Sequence, residues 1–247
     1  MSARGYTLLE ATLAILVLAI LLAGLAVPLS TQVTLQRLAE TRRQLDEARE
    51  AVLGFASAHG RLPCPATPSS RGEERFAPGS DARDGRCEAF FDGFLPAATL
   101  GLANLDDEGF VRDAWGAKAN RLRYAVHGGR PTGGIENALT RVNGLRLATM
   151  DAAGGATWLV ICASGTSADS QGCGPATLQL TRRAAFVVHS SGPNAPHEPP
   201  RGSDEARNRD GDGIFVARDQ DADYDDVLTW APIHGLLSRM VAAGRLP

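Results

Sequence analysis

The residues in this chain best equipped for chemistry are acidic, and they sit in two places. Toward the C-terminus, Asn208, Asp210, Asp212, Asp219, Asp221, Asp223, Asp225 and Asp226 put eight carboxylate or Asx side chains into one short stretch. Hard oxygens at alternate positions are what a Ca2+ ion takes. Asn208, Asp210, Asp212, Gly213 and Asp219 fall at loop positions 1, 3, 5, 6 and 12 of an EF-hand-like pattern. The stretch departs from that loop in having Asn at position 1, and no flanking helices are evident. The candidate ligands of a structural Ca2+ are Asp210, Asp212, Asp219, Asp221 and Asp223, and the competing reading is a solvated charge run that needs no ion.

The second acidic position is Glu10, at the edge of an uncharged run over residues 11–29. About 19 apolar residues in a helix rising about 1.5 Å each nearly cross a hydrocarbon core of about 30 Å, so this segment predicts a transmembrane helix. Burying an acid there costs about 2 to 3 kcal/mol unless it is partnered. The preceding residues, Arg4, Gly5, Tyr6, Thr7, Leu8 and Leu9, offer a cation if the chain is cut between Gly5 and Tyr6. The new amino group on Tyr6 would then lie one helical turn from Glu10 or near the Glu10 of a neighbouring copy. A cleaved secretory signal and an uncleaved signal anchor are the competing readings, and both leave Glu10 without a partner.

Nothing else in the sequence suggests catalysis. No H-E-x-x-H, G-x-S-x-G or Walker loop occurs, and His59, His127, His189, His197 and His234 are scattered without ligand spacing. The chain is therefore expected not to be an enzyme and to require no cofactor beyond the candidate Ca2+. A formal charge of -3 gives no electrostatic reason to expect a nucleic-acid partner. Cys64, Cys87, Cys162 and Cys173 show no C-x-x-C spacing and suit disulfides. Three pairings are open, and the sequential one closes two short loops worth about 3 kcal/mol each in a chain-entropy model.

The elements that must position these residues follow from periodicity. Beyond Pro28, Leu35, Leu38, Leu45, Val52 and Phe55, with Ala48 and Ala51 between them, recur at threes, fours and sevens. That spacing predicts an amphipathic helix over 30–58, stopped by Gly60, Pro63 and Pro65. Residues 66–86 are rich in Pro, Gly, Ser and charge and read as a surface loop. Leu122, Tyr124 and Val126 alternate, residues 157–163 and 184–190 are apolar and β-branched, and 233–243 reads as a short helix. The fold class expected is α+β: a long N-terminal helix, half transmembrane and half amphipathic, packed on an antiparallel sheet within residues 59–247.

Arg4-Gly5-Tyr6-Thr7-Leu8-Leu9-Glu10 resembles the class III signal of type IV prepilins, with Tyr6 in place of the commoner Phe. The resemblance implies a leader over residues 1–5, cleavage after Gly5 and N-methylation of Tyr6. It also implies a role for Glu10 in bringing subunits into register, and it matches Pro28 to the helix-kinking proline of that family. Asp113-Ala114-Trp115-Gly116 and the following Arg123-Tyr124-Ala125-Val126 resemble the Asp-Pro-Trp-Gly turn and next strand of the major pseudopilin of type II secretion. Residues 184–194 resemble that family's later strand and its Ser-x-Gly turn, and Asp221-Ala222-Asp223 resembles its calcium-binding Asp-Ala-Asp. These patches and the signal cover about a third of the chain. Ala114 stands where Pro is usual, the four cysteines are foreign to that subunit, and the domain is larger. Trp115 is expected to serve packing.

The resemblance implies a pilin-like fold and a structural subunit, a minor pseudopilin of a type II secretion pseudopilus. Its partners would be a prepilin peptidase, other pilins or pseudopilins in a helical filament, an inner-membrane assembly platform and the lipid bilayer. The implied location is the bacterial inner membrane, single-pass, with the C-terminal domain in the periplasm. The alternatives are a minor type IV pilin with a tip, adhesion or DNA-uptake role, and a signal-anchored periplasmic calcium-binding or enzymatic domain.

Overall fold

The structure, a computed structural model, describes residues 7–128, 131–132, 135–146, 158–165 and 172–246, without the side chains of 21–30 and 131–135. Gly5 and Tyr6 lie outside the described residues, as does the side chain of Pro28. The chain divides into two compact units, Met1–Glu40 and Thr41–Pro247.

Helix α1 runs Leu8–His59 and contributes to both units. Within the first unit its described side chains from residue 8 to residue 20 are exposed. Among the described residues no helix is long and apolar enough to cross a membrane. This finding overturns the transmembrane span expected over 6–29, and with it the single-pass inner-membrane location and periplasmic domain. The helix carries Glu10 in its first turn, a charge that a bilayer interior disfavours.

The second unit begins inside α1, at Thr41. Leu45, Ala48, Val52, Leu53 and Ala56 are buried on one helical face, because residues three and four apart stack on the same side. Arg49 Nε donates to the carbonyl of Trp230 at 3.0 Å. The helix ends at Gly60, where φ of +70° continues no right-handed turn and the amide closes on the Ala56 carbonyl at 2.8 Å. Arg245 donates to the last carbonyls, Ser57 and Ala58, at 2.8 and 2.7 Å, groups that a helix end otherwise leaves unpaired.

Strands β1 (Gly93–Phe94), β2 (Arg123–Val126), β5 (Leu159–Cys162), β6 (Gln179–Ser190), β7 (Ile214–Val216) and β8 (Val227–Pro232) form one six-stranded sheet. Its order is β1-β2-β6-β5-β7, with β8 also on β6, and every pairing is antiparallel except that of β5 with β7. A separate pair joins β3 (Pro131–Thr132) to β4 (Ile135–Glu136). Successive strand residues point to opposite faces. Tyr124, Val126, Phe186 and Val188 therefore join the α1 face in the main core, together with Ile233, Leu236 and Met240 of a C-terminal helix (Ile233–Ala242). Ala125 and Val187 join Leu159, Ile161 and Phe215 in a second core. The observed architecture is α+β with an antiparallel-rich sheet.

Two disulfides join Cys64 to Cys87 and Cys162 to Cys173, the sequential pairing. Replacing either pair by serine is expected to lower the unfolding free energy of the full chain by about 3 kcal/mol. Urea unfolding followed by circular dichroism checks this, and an unchanged midpoint would contradict it.

Candidate functional site

The antiparallel register of β6 with β8 sets opposite each other the place where one strand ends and the other begins. Ser190, the last residue of β6, pairs with Val227, the first of β8. The chain leaving β6 through Gly192 and Asn194 therefore runs beside Asp225 and Asp226. Gly192 has φ of +63°, and a Cβ there would lie 2.0 Å from Asp225 Oδ1, so only glycine fits this turn. A short helix, α2 (Asp204–Arg207), is started by Ser203, whose hydroxyl accepts from the Ala206 amide, and it brings Glu205 to the same place.

A buried hydrogen-bond network supports the turn. Asp113 Oδ2 accepts from Ser190 Oγ at 2.6 Å and from Asn120 Nδ2 at 3.0 Å, while Oδ1 accepts from the Trp115 amide at 2.9 Å. Asn120 Nδ2 also donates to the Gly192 carbonyl at 2.6 Å, and the Gly192 amide donates to Ser190 Oγ at 3.1 Å. The two patches that resemble pseudopilin turns are thus joined by direct hydrogen bonds. Trp115 itself is only half-buried, and Asp113 does the joining. Burial pushes the Asp113 carboxyl upward, against the hydrogen bonds from Ser190, Asn120 and the amides of Trp115 and Gly116.

Glu205, Asp225 and Asp226 each offer a carboxylate oxygen, all within 4.8 Å of one another. Glu205 accepts from the Asp225 amide at 2.8 Å and from Asn194 Nδ2 at 2.8 Å. Asp226 is 2% exposed; its Oδ2 accepts from Asn208 Nδ2 at 2.7 Å, whereas its Oδ1 has no hydrogen-bond partner among the described residues. Asp225 Oδ2 accepts from the Asn194 amide at 3.3 Å, and its Oδ1 is likewise buried and unpaired, as is Asn194 Oδ1. Unpaired acceptors in the interior are costly, and three gathered beside clustered carboxylates suit an oxygen-binding cation. Burial, then the charge of Glu205, pushes Asp225 up to about 6. Burial pushes Asp226 up to about 7, with the hydrogen bond from Asn208 acting against it and Glu205 adding to it.

The expected ligand set is not the one brought together. Asp210 and Asp212 pair with Arg207 at 3.1 and 3.0 Å, and Asp221 pairs with Arg218, which also holds Asp204 at 2.7 Å. Asp210, Asp212 and Asp221 further accept from the amides of Asp212, Ile214 and Asp223, folding the acidic stretch into local turns. Asp219 and Asp223 are exposed and lie outside the cluster. Asn208, at the first EF-hand-like position, instead clamps β7: its Oδ1 accepts from the Val216 amide at 2.7 Å and its Nδ2 donates to the Val216 carbonyl at 3.2 Å. The neighbouring arginines answer the exposed carboxylates, and this defeats a reading from acidic spacing alone. Asp225 and Asp226 belong to the acidic stretch, but Glu205 precedes it and no sequence spacing points to it.

At the other acidic position, the structure supplies Glu10 with partners from its own chain. Glu10 Oε2 accepts from the Thr7 amide at 3.0 Å and the Thr7 hydroxyl at 3.1 Å, and the Glu10 amide donates to Thr7 Oγ1 at 3.3 Å. This is a capping box at the start of α1, and Thr7-Leu8-Leu9-Glu10 carries its sequence signature. The carboxylate is thus partnered without a new amino terminus.

For an acid whose folded pKa is raised, the stabilising contribution is full below its unfolded value, about 4, and is lost as pH rises through the folded one. In chelator, Asp225 and Asp226 are therefore expected to lower the melting temperature of the full chain as pH rises through about 6 and about 7. Asp226→Asn, which keeps the Asn208 contact and removes a charge, should flatten that decline. Scanning calorimetry of both chains from pH 5 to pH 8 checks this, and parallel curves would contradict it.

No protein-family model matches this chain, and no curated protein or solved structure matches it either.

Proposed function

We propose that this chain is a structural subunit of a type IV pilin-like filament, specifically a minor pseudopilin of a type II secretion pseudopilus, cut after Gly5 and assembled through α1. The observation that carries the reading is the distribution of exposed apolar side chains. Leu8, Leu9, Leu13, Ile15, Leu16, Val17, Leu18, Ile20, Val33 and Leu35 are all exposed on α1 ahead of Thr41. Among the described residues, the large exposed hydrophobics elsewhere are Leu105, Val142, Leu180 and Val241, scattered singly. An apolar helical surface of this kind needs a cover, and the same helix on other copies of the chain supplies one by side-by-side packing. Further support comes from the Asp113 and Ser190 turns, which resemble pseudopilin motifs and meet in one network. The pilin-like fold, the peptidase and the filament partners are parts of this proposal.

The proposal includes a structural Ca2+ held by Glu205, Asp225 and Asp226. The donors are carboxylate oxygens with no nitrogen or sulfur ligand in the group, a set that suits a hard cation. The ion would neutralise carboxylates that burial alone disfavours.

Two measurements test these statements. Mass spectrometry of the full chain expressed with a prepilin peptidase should find the mature protein beginning at N-methylated Tyr6; a chain still carrying residues 1–5 would sink the filament reading. At a hundredfold excess over its Kd, Ca2+ should raise the melting temperature of the full chain at neutral pH by about 5 °C or more. The same addition should leave Asp226→Asn unmoved, and equal rises in both chains would remove the ion from this site.

A further inference from the structure

Strand β6 is longer than the strands that flank it. Ala184 pairs with Leu159 of β5 and with Pro232 of β8, so these two strands lie on opposite sides of β6. Toward the start of β6 its pairing with β5 continues, with Ile161 opposite Thr181 and Cys162 opposite Gln179. On the other side β8 stops at Pro232, which has no amide hydrogen to carry the ladder further, and the chain turns into the C-terminal helix. Among the described residues, 179–183 therefore have a strand on one side and none on the other.

The same residues bring β6 to the surface. Gln179, Leu180 and Arg182 are exposed and Thr181 and Arg183 half-buried, whereas every residue of the strand from Ala184 onward is buried. Leu180 is 50% exposed, an apolar side chain left facing water. The Arg183 amide donates to Thr181 Oγ1 at 3.0 Å, a neighbouring side chain standing in for a strand carbonyl. An unpaired strand edge is a template for a further strand, and edges of this kind take up extended segments through main-chain hydrogen bonds.

Charge selects the kind of segment that fits. β5, β6, β8 and the C-terminal helix contain no aspartate or glutamate. Arg182 and Arg183 are adjacent, and Arg183 Nη1 lies 2.7 Å from His234 Nε2, a group that brings no negative charge. Elsewhere in the second unit acids answer the arginines, as Glu74 answers Arg61, Asp106 answers Arg121 and Asp204 answers Arg218. A second copy of the chain would bring the same arginines to this edge and be repelled, whereas an acidic strand is attracted.

We propose that residues 179–183 of β6 are a docking edge for an extended acidic segment of a partner protein. The segment adds as a strand beside β6, sets an apolar side chain against Leu180 and brings carboxylates to Arg182 and Arg183. The edge belongs to the second unit, and its use does not depend on assembly through α1.

The test is calorimetric titration of the full chain, at neutral pH and low salt, with a synthetic peptide of about eight alternating valine and glutamate residues. This peptide should bind, and a valine–lysine peptide of the same length should bind about tenfold or more weakly. N-methylation of alternate peptide amides, which removes donors and keeps the charge, should weaken binding about tenfold in one of its two registers. Arg182→Glu combined with Arg183→Glu should reverse the preference between the two peptides, an outcome that only a folded chain can give. Glutamate and lysine peptides that bind the unaltered chain equally overturn the acidic partner. Undiminished binding of both N-methylated peptides overturns strand addition and needs no altered chain. Absence of peptide binding overturns the proposal, and self-association of the unaltered chain in sedimentation that the double substitution abolishes gives the edge to a second copy instead.

Discussion

The carboxylate of Asp113 is the constraint on which the arrangement of the second unit depends. It is buried, 3% exposed, and among the described residues no cation pairs with it, so its stability rests on donors held in place by the fold. Those donors come from its own turn, from Asn120 and from the end of β6. Satisfying one acid therefore fixes how the turn after residue 113 meets the sheet. The next amide, Ala114, donates to Thr41 Oγ1 at 3.2 Å, which ties the same turn to α1 where the second unit begins. A missing donor anywhere in this set would leave an interior charge uncompensated, a fault costing several kcal/mol.

Elsewhere the chain answers buried acids with arginine. Glu74 accepts from Arg61 and from the Cys64 amide, with the Arg61 guanidinium also lying over the rings of Phe55 and Phe76. Asp106 binds Arg112 and Arg121 and accepts from two amides. Against that background the cluster of Glu205, Asp225 and Asp226 stands out, since it gathers like charges and leaves acceptors unpaired. Such a cluster persists because the surrounding structure determines it: β6 and β8 bring the aspartates, α2 brings the glutamate, and the Asn208 clamp holds Asp226. Sites that break the usual rule of polar satisfaction are where function is sought, with stability supplied by the rest of the domain.

Much of the scaffold was legible in the chain. Leu45, Ala48, Val52 and Phe55 at helical spacing mark the buried face of α1, and Leu122, Tyr124 and Val126 at alternate spacing mark the core side of β2 and of the residue that leads into it, because these periods follow directly from backbone geometry. The four cysteines could be read as disulfides, but their pairing was chosen among three by the positions of β5 and the loops. Thr7 and Glu10 declare a helix start by their spacing alone, and a search for a distant cation passes over that nearer partner.

What the sequence determined by itself was everything local: helix and strand periods, the capping box, the stop at Gly60 and the supply of acids near the C-terminus. Which of those acids converge was decided only by tertiary structure. Asp210, Asp212 and Asp221 are taken by Arg207 and Arg218, while Asp225 and Asp226 meet Glu205 through the register of two long strands. The physical reason is that a carboxylate's role depends on the charges and donors around it: nearby arginines take Asp210, Asp212 and Asp221, whereas Asp225 and Asp226 meet Glu205 and Asn208, brought in from earlier in the chain.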